Sequence, residues 1–434
     1  MELLALLLFL SIFVLILYGY PVAFTLGGIS LLYAFCFLDP GSFSLLPARV
    51  MGVMSNYVLI AVPLFIFMGI MLEKSGLAER LLESMAMLFG RVRGGLAVSV
   101  VIVGALLAAS TGIVGATVIT MGLISLPTML KRGYQPELAT GTIASAGTLG
   151  QIIPPSVVLV LLGSVLNVSV GDLFAAAIIP GSGLVIVYIA YILIRAYRNP
   201  ALAPAIPEEE IAEFRGPGFI PKVIQAFVLP LLLIIAVLGS IFYGIASPTE
   251  AAAVGALGAI LLTMLQGRFN LTTLRAVMQE TTLLTCMVFI ILLGATTFSF
   301  VFREMGGDAY LIELIEGSQL SAYGFLLLVM LVVFVAGFFI DFIEIIFIIV
   351  PVVAPVFVQY DLNLIWIGIL IAMNLQTSFL TPPFGFSLFY LKGVAPPGVT
   401  TGHLYRGIVP FVVIQLIFLA LVALFPEVVM VFLG

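Results

Sequence analysis

Two segments of the chain carry hydroxyl and amide side chains directly before a pair of adjacent prolines. The first is AGTLGQIIPP at 146–155 and the second is NLQTSFLTPP at 374–383. Each double proline removes two backbone donors and disfavours helix at the preceding residue, which predicts a helix break or, alternatively, a kink used only for packing. Carbonyls freed at a break can coordinate a cation, and the next half-helix can face an anion. We therefore expect the breaks to hold a substrate through Pro154, Pro155, Asn374, Ser378, Pro382 and Pro383.

Two further groups of candidates lie in the middle of long apolar stretches. Ser110 and Thr111, followed by Gly112, offer oxygens suited to a hard cation such as Na⁺, although small residues there would equally let two helices pack closely. Asp341 and Glu344 lie inside an apolar run, where a carboxylate is costly and indicates function. We expect an ion-linked role for Asp341, whereas Glu344 is expected to pair with a neighbouring subunit or a buried arginine.

The composition is that of an integral membrane protein. Of 434 residues, 63% are hydrophobic and 9% are charged, whereas soluble domains are about half apolar and a quarter charged. This excludes a soluble enzyme, and 16 Lys and Arg against 21 Asp and Glu leave no basic surface for nucleic acid. Two cysteines and one histidine provide no disulfide framework and no histidine-based metal site. No cofactor is expected, and without a GxxxxGK[ST] motif the energy must come from an ion or solute gradient.

Hydropathy predicts an all-α polytopic protein with about ten transmembrane helices. Two stretches, 94–130 and 322–358, are too long for one span and short for two, so we expect each to be a re-entrant hairpin. The N-terminus lacks the basic region of a cleaved signal, so the first apolar run is interpreted as a span. The predicted spans are 1–17, 20–37, 57–73, 137–165, 172–198, 219–243, 248–267, 281–302, 364–390 and 404–434.

The two halves of the chain repeat. The double prolines recur at an offset of 228 residues, as do Pro127 and Pro355, and the order of spans, surface helix, hairpin and interrupted helix also matches. Five crossings in the first half require the second half to insert upside down. The resulting assignment is a first inverted repeat at 1–200 with an interrupted helix at 137–165, a cytoplasmic linker at 201–218, and a second repeat at 219–434 with an interrupted helix at 364–390.

The distribution of positive charge agrees with this inverted topology. With the N-terminus outside, 14 of the 16 Lys and Arg fall on cytoplasmic segments, and only Arg49 and Arg303 fall outside. Both termini are then predicted to be periplasmic. Inverted repeats with interrupted helices are typical of secondary transporters, whose binding sites lie near the middle of the bilayer.

Five motifs together carry a resemblance to a known family. They are LPTMLKRGY at 126–134, AGTLGQIIPPS at 146–156, SPTEAA at 247–252, TPPFG at 381–385 and GVA at 393–395. On these motifs the chain, over essentially its whole length, resembles the large membrane subunit (DctM-like permease) of the tripartite ATP-independent periplasmic (TRAP) transporters.

The resemblance implies an elevator-type transporter of the bacterial inner membrane, in which a mobile domain of hairpins and broken helices slides against a scaffold. It implies Na⁺ as the coupling ion, surrounding membrane lipid, a small four-helix membrane subunit (DctQ-like), and a periplasmic substrate-binding protein that delivers an organic acid. The ion sites carried over residue by residue are Ser110, Thr111, Gly112, Gly147, Thr148 and Gly150 in the first repeat, and Gly337, Gln376, Thr377 and Thr381 in the second.

One segment departs from the pattern of many family members. Where they have Ile-Gly before the TPP motif, this chain has QTSFL at 376–380, which leaves the ligands of the second ion site open. Together with FGFSLFY at 384–390, this segment resembles the branch labelled for mannitol or chloroaromatic compounds, whose members are associated with 2-oxo acids and lactate. The departure argues against sialic acid as the substrate.

The predicted function is Na⁺-coupled secondary uptake of a small organic acid, as the large subunit of a binding-protein-dependent transporter. The alternative within transport is a stand-alone carboxylate–Na⁺ symporter of related inverted-repeat fold. An intramembrane enzyme is poorly supported, because one His, no HExxH and no GxSxG leave few catalytic groups. Nothing in the sequence favours a continuous polar channel. The sequence leaves open which acid is carried, how many Na⁺ ions are coupled and the oligomeric state.

Overall fold

The chain folds into helices joined by short turns, with no strand among the residues that the structure describes. The structure is a computed structural model that describes residues 2–39, 41–111, 114–214, 219–317 and 320–433. For Ser110 and Thr111 it describes the backbone, and these two residues end a helix.

Ten helices precede the linker, among the residues described. They are α1 (Glu2–Leu17), α2 (Val22–Phe37), α3 (Leu46–Met54), α4 (Ala61–Lys74, after a 3₁₀ turn at Tyr57–Ile60), α5 (Leu77–Phe89), α6 (Gly95–Thr111), α7 (Val114–Lys131), α8 (Pro136–Thr148), α9 (Val157–Leu166) and α10 (Val170–Arg198).

The linker and the second half follow in a similar order. Their helices are α11 (Glu208–Phe214), α12 (Phe219–Val223), α13 (Leu229–Phe242), α14 (Pro248–Leu265), α15 (Leu271–Glu304), α16 (Gly307–Gly317), α17 (Ala322–Ala336), α18 (Phe342–Ile348), α19 (Val350–Gln359), α20 (Leu364–Leu380), α21 (Phe386–Val394), α22 (Thr401–Leu424) and α23 (Glu427–Met430).

The all-helical, polytopic prediction is confirmed. Within the described ranges, seven helices are long and apolar enough to cross a membrane, or eight if α18 and α19, bent by 50°, count as one span. Seven shorter apolar helices of 10–17 residues accompany them. Two of these short helices, α9 and α20, are parts of predicted spans that breaks divide. The predicted span 137–165 is divided into α8 and α9, and the predicted span 364–390 into α20 and α21.

Helix α15 is longer than its hydropathy indicates. A span near 281–302 is predicted, but the helix begins ten residues earlier, at Leu271. Asn270 caps its first turn by accepting a hydrogen bond from the backbone N–H of Thr273 (2.6 Å), which satisfies an end donor. The first turns contain Arg275, Gln279 and other polar residues, so a hydropathy scan detects only the apolar remainder.

The helices of the two halves correspond in order and pack across one another. Helices α1, α2, α5, α6, α8, α9 and α10 correspond to α13, α14, α16, α17, α20, α21 and α22. The two halves also pack against each other. Helix α2 of the first half lies against α15 of the second, and α14 of the second half lies against α4 of the first. The closest approach of α2 and α15 requires glycine, because a Cβ at Gly294 would lie 2.6 Å from the carbonyl oxygen of Ala23.

The helices fall into two groups by their contacts. We call α1–α4 with α13–α15 the outer group, and α6–α10 with α17–α22 the broken-helix group. Inside the broken-helix group, α8 packs against α6, α7 and α22, and α20 packs against α9, α17 and α22. The two groups meet where α4 contacts α6 and α9, and where α15 contacts α18.

Candidate functional site

The first helix break lies between α8 and α9. Helix α8 ends at Thr148, a 3₁₀ turn spans Leu149–Gln151, and α9 begins only at Val157, beyond the two prolines. Prolines supply no N–H to continue the helix, so the chain leaves it here. The break is closed internally: the Ser156 hydroxyl donates to the carbonyl oxygen of Gln151 (2.9 Å).

The glycines of this break serve the approach of neighbouring helices. A Cβ at Gly150 would overlap the carbonyl oxygen of Ala108 in α6, and one at Gly147 would overlap Val118 in α7. The end of α6 and the start of α7 therefore lie directly against the break. Two of the predicted ion ligands, Ser110 and Thr111, are described only in their backbone, and Gly112 lies outside the described residues.

The second break lies between α20 and α21. Helix α20 ends at Leu380, Thr381 adopts an extended backbone, and Gly385, with φ of +37°, precedes α21. The Tyr405 hydroxyl donates to the carbonyl oxygen of Pro383 (2.7 Å) and thereby ties the break to α22. In both breaks the peptide bond between the two prolines is cis.

The hydroxyls of the two breaks donate their protons to their own helices. Thr148 donates to the carbonyl oxygen of Ser145 (2.9 Å), Thr377 to that of Met373 (2.7 Å) and Thr381 to that of Thr377 (2.8 Å). Each hydroxyl oxygen keeps lone pairs that can still accept. These hydroxyl oxygens therefore present lone pairs with negative partial charge, which suit a cation.

Asn374 and Ser378 make hydrogen bonds to neighbouring backbone. The Asn374 amide donates to the carbonyl oxygen of Met330 in α17 (2.7 Å), and the Ser378 hydroxyl donates to that of Leu375 (2.8 Å). Ser378 also explains why position 337, a predicted ligand at the end of α17, is a glycine. A Cβ at Gly337 would lie 2.7 Å from the Ser378 Cβ and overlap its hydroxyl oxygen. These residues hold α17 against α20.

Asp341 and Glu344 form a capping box at the start of α18. The Asp341 carboxylate accepts from the backbone N–H of Phe342 (2.7 Å), and the Glu344 carboxylate accepts from the backbone N–H of Asp341 (3.2 Å). Two of the orphan donors of the helix end are satisfied in this way. No ion pair of Glu344 with an arginine is found in the described part of the chain.

Two buried glutamines beside the breaks are unsatisfied polar groups. The first break's 3₁₀ turn packs against α20, and both Gln151 and Gln376 are fully buried. Neither amide has a hydrogen-bond partner among the described residues. An unpaired buried amide costs about 1–3 kcal/mol, so such groups are normally paired with a ligand or water. Gln376 was among the predicted ligands; Gln151 was not, since only the folded chain shows that it is fully buried.

The chain matches known proteins over nearly its whole length. The family described as the DctM component of the tripartite ATP-independent periplasmic transporters matches residues 9–428. A C4-dicarboxylate TRAP transporter large permease, DctM of Pseudomonas aeruginosa, is 33% identical, with 90% of this chain and 89% of that protein covered.

Two further relatives and one solved structure are similar in extent. The ectoine TRAP transporter large permease TeaC of Halomonas elongata is 30% identical, and the sialic acid TRAP transporter large permease SiaM of Vibrio cholerae is 28% identical. The alignments cover 95% of this chain and 95% of TeaC, and 94% of this chain and 93% of SiaM. The Alcanivorax borkumensis YdaH transporter shares the fold, with a TM-score of 0.62 at 16% identity over 89% of this chain and 88% of that one. The chain belongs to the DctM family, the DctM component of the tripartite ATP-independent periplasmic transporters.

Proposed function

We propose that this chain carries a small organic acid across the bacterial inner membrane, coupled to the inward movement of Na⁺. The observation that carries the proposal is the contact of the first break's 3₁₀ turn with α20, the helix that ends at the second break, where both elements carry a fully buried, unpaired glutamine amide. Family membership supports the same conclusion, because relatives are named for C4-dicarboxylate, ectoine and sialic acid transport.

The proposed coupling ion is Na⁺, a hard cation. The breaks offer carbonyl, hydroxyl and amide oxygens, and hard cations prefer such oxygen ligands. The proposed ligands are Ser110, Thr111, Gly112, Gly147, Thr148 and Gly150 for one ion, and Gly337, Gln376, Thr377 and Thr381 for another. Asp341 would add negative charge beside the second group. The acid would be held next to the ions by Pro154, Pro155, Asn374, Ser378, Pro382 and Pro383.

The transport step is proposed to be a sliding of the broken-helix group against the outer group. Both breaks belong to the former, so one displacement would carry ions and acid together. A small four-helix membrane subunit and a periplasmic substrate-binding protein are the expected partners, and both termini are expected in the periplasm. The resemblance to the mannitol and chloroaromatic branch adds 2-oxo acids and lactate to C4-dicarboxylates as the acids to test.

Uptake by the reconstituted chain tests this proposal. Vesicles containing the chain and its small subunit would receive labelled acids, with and without the binding protein, under an imposed gradient of Na⁺ or of K⁺. We expect uptake only with the binding protein and the Na⁺ gradient. Uptake without the binding protein would favour the stand-alone symporter, and equal uptake in K⁺ would overturn Na⁺ coupling.

A further inference from the structure

A polar cavity that no residue of either helix break lines lies between the outer group and the broken-helix group. It has a volume of about 470 Å³ and is lined by residues of α3, α9 and α15, and by Phe347 and Pro351 of the second hairpin. This volume lies within the range of small-molecule sites, which is roughly 300–1,000 Å³. Its polar lining residues are Arg49, Asn56, Ser164, Asn167, Thr296, Ser299 and Arg303.

The two arginines of this cavity are the two cations that the charge distribution places on the periplasmic side. Arg49 is exposed on α3, and it makes no ion pair in the described part of the chain. Arg303, at the end of α15, uses its Nε to contact a carboxylate oxygen of Asp308 (3.2 Å). Its two terminal nitrogens have no ion-pair partner in the part of the chain that the structure describes. A guanidinium presents its donors in a fork that matches a carboxylate, so both arginines are suited to an acid.

The neutral side chains around the arginines are held in place and can bind the rest of an acid. The Asn56 amide donates to the Ser164 hydroxyl (3.1 Å), which joins the turn before α4 to α9. The Thr296 hydroxyl donates to the carbonyl oxygen of Leu292 (2.7 Å) and keeps its lone pairs for an incoming hydroxyl group. Asn167, at the end of α9, is an exposed polar residue of the cavity wall.

We propose that this cavity binds a carboxylate-bearing small molecule on the periplasmic side, as the first site that the transported acid occupies. The inference rests on the proposed function for the identity of the acid. Arg49 and Arg303 would supply the charge, and the amides and hydroxyls would bind the acid's remaining oxygens. Because the walls come from both helix groups, the acid would enter between them before it reaches the breaks.

A charge-sensitive labelling experiment tests the site without requiring transport. Cys36 and Cys286 are replaced by serine, and Ala48→Cys places one thiol in the cavity wall next to Arg49. Right-side-out vesicles receive an anionic or a cationic methanethiosulfonate, and the ratio of the two reaction rates is measured. A unit charge roughly 4 Å away in water changes each of the two rates about five-fold, in opposite directions, so we expect Arg49→Gln to lower the anionic-to-cationic ratio about 25-fold. Arg49→Lys should keep most of the ratio, and Arg268→Gln, in an exposed turn after α14, should not change it.

Protection by acids supplies the second readout. External succinate, pyruvate or lactate should slow labelling of Ala48→Cys, succinamide should not, and protection should disappear in Arg49→Gln/Arg303→Gln. Because Arg303→Gln removes the partner of Asp308, Arg303→Gln/Asp308→Asn serves as a second variant that leaves no unpaired carboxylate. An unchanged rate ratio in the arginine variants, or the same labelling with and without acids, would overturn the site. Protection in a chain that fails to transport would keep the site and count against the proposed function alone.

Discussion

The hydroxyl protons at each helix break are already used by the helix's own carbonyls, and this decides what a bound group can be. Thr148, Thr377 and Thr381 all donate within their own helices, so only their oxygen lone pairs are left. The amides of Gln151 and Gln376 are different, because each offers both donors and an acceptor and finds no described partner. The breaks can thus serve a cation through oxygens and an anion through amide N–H groups.

Substitution of Gln376 tests whether its unpaired amide serves ion binding at a cost in the stability of the fold. In Gln376→Met, an apolar side chain of similar shape replaces an unpaired buried amide. Because no hydrogen bond is lost, the free energy of unfolding is expected to stay the same or to rise. We expect the variant without Na⁺ to unfold at the same or a higher temperature than wild type, and to lose the stabilisation by Na⁺. Thermal unfolding of purified protein with and without Na⁺ measures both. Thr263→Val, buried in α14, is the matched control. A variant that Na⁺ still stabilises fully would remove Gln376 from the ion site.

Asp341 has a structural role that must be separated from an ionic one. Asparagine caps helices as well as aspartate does, whereas alanine at a cap costs about 1 kcal/mol. We therefore expect Asp341→Ala to lower the unfolding temperature, and Asp341→Asn to leave it nearly unchanged while raising the Na⁺ concentration for half-maximal uptake. If Asp341→Asn takes up the acid with unaltered Na⁺ dependence, the carboxylate only caps α18.

At the scale of elements, the linker between the halves holds the two ends of the first hairpin, opposite its tip. Arg132, just after α7, donates two hydrogen bonds to the Glu210 carboxylate of α11, at 3.0 and 2.6 Å. Backbone bonds add to this: the N–H of Gly94 donates to the carbonyl oxygen of Ala203, and that of Gln135 donates to that of Leu202. The linker therefore fixes both ends of the α6–α7 pair on one side.

This contact is expected to depend on pH. Hydrogen bonding to Arg132 lowers the pKa of Glu210 below its ordinary value of 4.5. A lowered folded-state pKa adds stability above the unfolded pKa, and this stability is lost as pH falls through the folded value. Because the pair is partly exposed, the effect at neutral pH is about 0.2–1 kcal/mol. Glu210→Gln should therefore unfold at a lower temperature than wild type at pH 7, and the difference should shrink as pH falls below 4.5 and vanish once Glu210 is protonated in the folded chain. A difference that persists in acid would contradict this assignment.

At the scale of the whole molecule, side-chain hydrogen bonds such as that of Asn56 with Ser164 bridge the two helix groups, and one of them lies beside an ion pair within the outer group. The Thr120 hydroxyl of α7 donates to the Glu73 carboxylate of α4 (2.7 Å), next to the ion pair of Lys74 with Glu280 of α15 (2.9 Å). Lys74 and Glu280 both belong to the outer group, whereas Thr120 belongs to the broken-helix group. A sliding movement would break the Thr120 contact and keep the other.

Cross-linking tests this movement directly. In a background without Cys36 and Cys286, a short bis-methanethiosulfonate would join Glu73→Cys to Thr120→Cys through two disulfide bonds. We expect uptake to stop, and to return when a reductant cleaves these disulfides. The control pair is Met68→Cys and Gly255→Cys, which joins α4 to α14 inside the outer group, where the two residues are in contact. That cross-link should leave uptake intact. Full uptake with the first pair joined would exclude sliding of these groups.

The sequence by itself determined the class of the protein and the position of its breaks. Composition selects a membrane protein because 9% charged residues cannot cover a soluble surface, and each double proline ends its helix for a reason local to the chain. The family was likewise readable from motifs. Hydropathy missed helical segments that are polar, such as the first turns of α15.

Only the tertiary structure decided which residues meet. The packing roles of Gly150 and Gly337 depend on Ala108 and Ser378, which lie on other helices. Arg49 and Arg303 appeared in the sequence merely as two exceptions to a charge rule, and folding places both around one cavity. Such encounters follow from the shapes of whole packed helices, whereas periodicity and composition report only on neighbours along the chain.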